Sequence, residues 1–104
     1  MDQFTVKEGK TIAIISYITF IGMIVAVIMN NSKNNAFAQF HIGQSFRIVI
    51  ASLANSVLSW FLPSSLMMIS TIISLLILVL IILGIVSAVN GKAEPLPVIG
   101  TIGD

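Results

Sequence analysis

Residues 37–47 read Phe37-Ala38-Gln39-Phe40-His41-Ile42-Gly43-Gln44-Ser45-Phe46-Arg47. This stretch follows a short polar loop, precedes a long apolar run, and contains the only His and the only Arg of the chain. The segments on both sides of it are apolar enough to predict membrane-spanning helices. We therefore expect its polar groups to lie at or just below a bilayer surface.

Composition places the chain among integral membrane proteins. Of its 104 residues, 57% are hydrophobic and 9% are charged, and the mean hydropathy is +1.07. Soluble domains carry about 25% charged residues, so this chain cannot cover itself with polar surface in water. The net charge of +1 excludes a strongly basic nucleic-acid surface, and the absence of cysteine excludes disulfides and thiolate chemistry.

Three apolar segments predict an all-α integral membrane bundle of three transmembrane helices, near 11–29, 38–62 and 65–90. The first segment runs 19 residues without a charge, close to the roughly 20 needed to cross a bilayer. We expect one domain over 1–104, with a polar head at 1–10 and an extended tail at 93–104, both outside the bilayer. A packing seam of small residues is predicted on the third helix, at Ser70, Ser74, Gly84 and Ala88.

The second predicted helix carries polar side chains along one face, here called the polar stripe. At about 100° per residue, its members fall near one meridian, with Arg47 on the flank. The opposite face is apolar and suits lipid. The candidate interaction residues of the stripe are His41, Gln44, Arg47, Ser52, Asn55 and Ser59.

Neither catalysis nor metal binding is expected. A zinc site needs several ligands, and a nucleophilic site needs a base held by a third group, but His41 is alone. The acids all lie in the terminal segments, at Asp2, Glu8, Glu94 and Asp104. We therefore predict no catalytic, cofactor-binding or metal-binding residue and no cofactor. The structural alternative is that His41 and Gln44, one helical turn apart, hydrogen-bond the backbone end of a neighbouring helix.

Two further polar residues lie inside the second span. Arg47 is interpreted either as an interfacial anchor that pairs with lipid phosphate or as a charge that lines a polar cavity. Asn55 lies near mid-depth, where a polar side chain usually hydrogen-bonds across helices. Its partner is expected on the first and third spans, on another copy, or on another protein.

Two short motifs add a resemblance. Phe40-His41-x-x-Gln44 opens the second span, and the third span closes with Gly84-Ile85-Val86-Ser87-Ala88-Val89-Asn90-Gly91-Lys92, followed by Pro95-x-Pro97. Over about residues 9–100, the chain resembles a family of small prokaryotic membrane proteins of unknown function. That family is itself similar to the membrane subunit of the chloroplast inner-envelope protein-import translocon. Gly43 departs from the pattern, and the import subunit has four spans rather than three. The resemblance implies a compact multi-pass helical domain of the prokaryotic cytoplasmic (inner) membrane.

Two functions are consistent with these features. The first is an accessory or interaction subunit of a membrane complex, with translocon-like as one form, acting through the polar stripe. The alternative is a homo-oligomeric pore or small-solute conduit lined by that stripe. The expected partners are the lipid bilayer and either further copies or other membrane proteins, with no nucleic acid and no enzymatic activity. In a three-span arrangement, Lys and Arg tally two against three, which predicts an external amino terminus.

Overall fold

The computed structural model describes residues 2–18 and 20–102. These residues form four α-helices and a short 3-10 turn, with overall extents of 51 × 23 × 23 Å, so the predicted all-α class is confirmed. The elements are α1 Gln3–Ile18, α2 Phe20–Lys33, α3 Ala36–Phe61, the 3-10 turn Ser64–Leu66, and α4 Met67–Val89.

The prediction of a single helix over 11–29 is wrong, because α1 and α2 form an antiparallel hairpin. The side-chain amide of Asn35 donates to the carbonyl oxygen of Thr5 at 2.9 Å, although the two residues are 30 positions apart. One straight helix of that length would separate them by about 45 Å. Gly9 makes the closure possible, since a Cβ there would overlap the Asn35 side chain. The head and the Asn-rich loop therefore lie at the same end of the molecule.

Each helix of this hairpin is amphipathic in its packing against the rest of the chain. The buried residues of α1 recur every three or four positions and lie on one face, at Gly9, Ile12, Ala13, Ser16 and Tyr17. On α2 they are Met23, Ala26 and Asn30. The length of the apolar segment predicted one crossing helix. The structure has two short helices instead, and each buries one stripe against α3.

Side-chain caps begin two of the helices. Asp2 accepts the backbone N–H of Thr5 at 2.7 Å at the start of α1, and this hydrogen bond holds the pKa of Asp2 below its usual value. Asn35 accepts the N–H of Ala38 at 3.0 Å at the start of α3. Both caps satisfy N–H groups that a first helical turn leaves without an intrahelical partner.

Helices α3 and α4 lie close to the predicted second and third helices and run antiparallel. Asn55 of α3 meets Ser70 and Ser74 near the start of α4, while His41 meets Lys92 just after its end. The segment Ser64–Val89, 26 residues long, is the one helix of the described chain long and apolar enough to cross a membrane. Helix α2 is apolar but shorter.

The core occupies one half of the α3–α4 pair. All buried residues of α3 fall between Phe37 and Ile48, and the apolar core around them includes Ala13, Tyr17, Phe37, Ile48, Ala88 and Leu96. The predicted seam on α4 is confirmed at Ser70, Gly84 and Ala88, which are its buried residues, whereas its fourth residue, Ser74, is exposed. Between 49 and 83, Ser70 is the only buried residue. We call this stretch of α3 and α4, residues 49–83, the uncovered half.

The tail, which was predicted to be extended, packs against the bundle. Residues 97–102 form turns, and the segment lies back along α3, with Leu96 7% exposed and part of the core. Gly100 is needed for this path, because a Cβ there would overlap the backbone of Leu96. Burial of apolar side chains stabilises the folded-back tail. Met1 of the predicted head and residues 103–104 of the predicted tail lie outside the described residues.

Candidate functional site

Three residues of the polar stripe hold the carboxy-terminal tail through its backbone. His41, Gln44 and Arg47 follow one another at spacings of three along α3, so they lie on neighbouring turns of one face. Their partners are the carbonyl oxygens of Lys92, Gly100 and Ile102 and the N–H of Leu96. We call this arrangement the tail clamp. It binds polypeptide backbone: His41 contacts the end of a neighbouring helix, as the structural alternative expects, whereas Gln44 contacts a turn of the tail rather than a helix end.

His41 is engaged through both ring nitrogens. Its Nε2 lies 2.7 Å from the carbonyl oxygen of Lys92, which can only accept, so Nε2 carries the proton and donates. Its Nδ1 then accepts from the hydroxyl of Tyr17 at 2.6 Å. The ring is 0% exposed and meets the rings of Phe37 and Phe40 edge-on, at centroid distances of 4.7 and 5.2 Å. This histidine joins α1, α3 and the end of α4, and neither nitrogen is open to a substrate.

Gln44 makes the two central hydrogen bonds of the clamp. Its Oε1 accepts the N–H of Leu96 at 2.9 Å, and its Nε2 donates to the carbonyl oxygen of Gly100 at 3.0 Å. The side chain is 2% exposed. One amide therefore satisfies both ends of a tail turn, which closes by a hydrogen bond from the N–H of Gly100 to the carbonyl oxygen of Leu96 at 3.0 Å.

Arg47 ends the clamp at the rim of an apolar groove. Its Nε donates to the carbonyl oxygen of Ile102 at 2.8 Å. The side chain lines a cavity of about 550 Å³ between α3 and the tail. A second cavity, of about 330 Å³, lies between α3, α4 and the other side of the tail. Ala51 and Ile99 line both cavities, so the tail divides one apolar groove in two.

The two motifs that carry the family resemblance meet in this site. Asn90 and Gly91 turn the chain at the end of α4, where Gly91 takes a φ of +73°, a left-handed conformation that favours glycine. Lys92 then presents its carbonyl oxygen to His41. Pro97 lies in the turn that Gln44 holds. Through His41 and Gln44, the first motif therefore binds the tail, which begins within the second motif.

The remaining predicted residues of the stripe lie in the uncovered half. Asn55 Nδ2 donates to Ser74 Oγ at 2.9 Å, and its Oδ1 accepts from Ser70 Oγ at 3.0 Å. Ser52 and Ser59 donate to carbonyl oxygens of their own helix, at 2.9 and 2.7 Å. The expected partner of Asn55 is therefore α4 of the same chain. Every deeply buried side-chain N or O atom of the described residues has a hydrogen-bond partner.

A serine-lined cavity of about 180 Å³ lies where the closed end of the hairpin meets α3. Its hydroxyl-bearing lining residues are Ser16, Tyr17, Ser45, Ser52 and Ser56. Ser16, Ser45 and Ser52 each donate to a carbonyl oxygen of their own helix, so these three hydroxyls offer lone pairs to the cavity.

Sequence reasoning missed Tyr17, Leu96 and Gly100. Tyr17 is the only tyrosine of the chain, and its ring packs so closely on Gly84 that a Cβ there would overlap it. The small residues predicted as a seam on α4 were the available signal, since a glycine on a helix face admits a large side chain from a neighbour. No comparable signal marked Leu96 and Gly100.

In comparisons with known proteins, the chain matches no protein family, no curated protein and no solved structure. Nor do any three His, Cys, Asp or Glu residues of the described chain lie together as a metal site would require. What the geometry defines is a helical bundle with one membrane-length helix, closed at one end by its own tail.

Proposed function

We propose that this protein is a multi-pass accessory or interaction subunit of a complex in the prokaryotic cytoplasmic membrane. The observation that carries the proposal is the uncovered half, residues 49–83, where Ser70 is the only buried residue. Large apolar side chains cover its outside, among them Leu53, Trp60, Leu75 and Leu76. An apolar surface of this extent needs lipid or another protein.

In the proposed membrane arrangement, α3 and α4 cross the bilayer and the α1–α2 hairpin enters it from one side. The apolar parts of the hairpin, 11–18 and 20–29, span about 12 and 15 Å at 1.5 Å per residue. The hydrocarbon core is roughly 30 Å thick, so the hairpin reaches about mid-depth. Apolar segments of this length are typical of re-entrant elements, which are tolerated where they pack on protein. The contacts of α1 and α2 with α3 meet that condition.

The proposed docking surface differs from the one that the polar stripe suggested. The His41–Arg47 part of the stripe holds the chain's own tail. Beyond the end of the hairpin, none of the described helices lies beside α3 and α4, and Thr71 is exposed there. A transmembrane helix of another protein, seated above the hairpin, would complete the bundle. The resemblance to a family that is itself similar to a translocon subunit suggests protein translocation as one setting for such a partner.

A non-enzymatic role is part of the proposal. Both ring nitrogens of His41 are occupied by Tyr17 and by the carbonyl oxygen of Lys92. Of the described acids, Asp2 caps α1, and Glu8 and Glu94 are exposed. General acid–base catalysis needs a titratable group within reach of a substrate proton, and these contacts leave His41 without that access.

Site-specific photocrosslinking in the native membrane tests the proposed docking surface. A benzophenone side chain at Leu53, which is 59% exposed, should give a protein adduct. The matched control is Ile28 on the outside of the hairpin, which is 66% exposed and should give none. Equal labelling at both positions, or a strictly solitary monomer after mild detergent extraction, would overturn the proposal.

A small-solute conduit is the second proposal, and the serine-lined cavity is the observation that favours it. In a homo-oligomer, the hydroxyls of Ser52, Ser56 and Ser59 would line the path. Liposome flux tests this idea, with Ser52→Leu as the variant that blocks the path. Absence of flux, or equal flux in that variant, would overturn the conduit proposal. Neither result would affect the proposal of an interaction subunit.

A further inference from the structure

All five basic residues of the chain lie toward one end of the molecule. Thr5 is hydrogen-bonded to Asn35, which places Lys7 and Lys10 beside the loop that follows Lys33. A Cβ built on Gly91 would lie 3.0 Å from the side chain of Val6, so Lys92 lies beside the head as well. Arg47 is on the same half of α3 and reaches the tail at Ile102.

The opposite end carries no charge at all. From 48 to 91 the sequence contains no Asp, Glu, Lys or Arg, and this range includes the turn between α3 and α4. The far end is marked instead by Trp60 and Phe61, which are 75% and 80% exposed, as in an interfacial aromatic belt. The molecule therefore has one basic end and one uncharged aromatic end, about 39 Å apart along α3.

We infer that the basic end faces the cytoplasm and rests on the anionic headgroups of the inner leaflet. The inference rests on the proposed membrane insertion. Lys and Arg near the ends of membrane segments set orientation, while acids contribute little, and anionic lipids of the cytoplasmic leaflet attract juxtamembrane lysines. With the hairpin in place, the tally is four lysines at the basic end, with Arg47 farther along α3, against no basic residue at the other end. This orientation is the opposite of the external amino terminus expected from the sequence, since that tally placed the head and the Asn-rich loop on opposite sides.

Reporter fusions to the full chain test the orientation separately from the membrane arrangement. Green fluorescent protein should fluoresce, and alkaline phosphatase should be inactive, when fused at either terminus. Phosphatase activity at both termini would overturn the cytoplasmic placement of the basic end. It would still agree with the proposed membrane arrangement, in which both termini lie on the same side. Activity at one terminus alone would overturn the arrangement itself.

Charge variants test the role of the lysines. Replacing Lys7, Lys10, Lys33 and Lys92 by Gln should cost most of the fluorescence and produce phosphatase activity. The matched control replaces Asp2 by Asn and Glu8 and Glu94 by Gln, and should leave both signals unchanged. Depleting anionic phospholipid from the cells should shift the unmodified chain toward the behaviour of the lysine variant. An unchanged orientation in the lysine variant or in the depleted cells would overturn the assignment of the basic end to the anionic leaflet.

Discussion

His41 connects more of the structure than any other polar residue in its neighbourhood. It takes a hydrogen bond from Tyr17 of α1 and gives one to the carbonyl oxygen of Lys92. Tyr17 can reach it because Gly84 of α4 leaves room for the phenol ring. The geometry at this point depends on a glycine, a tyrosine and a histidine that come from three different helices.

Replacing Gly84 by Ala should therefore destabilise the fold. The new methyl group would overlap the Tyr17 ring, and overpacking of this kind costs about 1–3 kcal/mol. The matched control is Gly43→Ala on α3, where a Cβ would lie 3.5 Å from Arg47 Nη1 in ordinary contact. The free energy of unfolding in mixed micelles should fall for the first variant and hold for the second. Equal values for the two would show that Tyr17 does not pack on Gly84.

Asn55 is the polar link between α3 and α4 in the uncovered half. Asn55→Leu should leave membrane insertion intact, because it raises hydrophobicity. It should lower the free energy of unfolding by about 0.5–2 kcal/mol, since the hydrogen bonds to Ser70 and Ser74 are lost. Ser59→Ala serves as the control, because Ser59 bonds only within its own helix. An unaffected Asn55→Leu protein would contradict the link.

At the scale of elements, Gln44 holds the tail by two hydrogen bonds to its backbone. Gln44→Leu should free it, since the N–H of Leu96 and the carbonyl oxygen of Gly100 would lose their partner. Unsatisfied buried polar groups cost about 1–3 kcal/mol each, so amide hydrogen exchange over 93–102 should accelerate about tenfold or more. Mass spectrometry measures this rate.

The comparison variant for the tail is Gln39→Leu, one turn earlier on α3 and exposed. It should leave exchange in 93–102 unchanged. Slow exchange of the tail in both variants would mean that Leu96 and Ile99 hold it by apolar packing without the amide.

Two of the four helices could be predicted closely from the sequence, and two could not. Pro63 and the Asn-rich loop bound α3 and α4 locally, so their limits followed from residue types. The fold-back of 11–29 is decided by contacts at a distance, since Asn35 packs on Gly9 and Tyr17 packs on Gly84. A charge-free run of 19 residues fits a single crossing equally well.

For the candidate site, the sequence predicted the residues of α3 but not their partners. The periodicity of α3 placed His41 and Gln44 on a common face and suggested backbone partners near the surface. It could not show that these partners lie 51 to 56 positions away. Two prolines made the tail look extended, whereas its buried Leu96 and the close approach at Gly100 depend on that distant glutamine.

At the scale of the whole molecule, the hairpin determines which parts of the chain share an end of the molecule. With α1 and α2 folded back, the head, the Asn-rich loop and Lys92 gather at the basic end, and the turn before α4 lies at the other. A single crossing over 11–29 would place the loop opposite the head. The orientation of the chain and the extent of the uncovered half both depend on this difference.

Thiol labelling of single-cysteine variants distinguishes the hairpin from a single crossing most directly. It is possible because the chain has no cysteine of its own. Gln3→Cys, Ser32→Cys and Ser65→Cys change exposed residues, and a membrane-impermeant maleimide is applied to spheroplasts and to inverted vesicles. The hairpin predicts that positions 3 and 32 label from the same side and position 65 from the other. Labelling of 3 and 65 from one side, with 32 opposite, would contradict it.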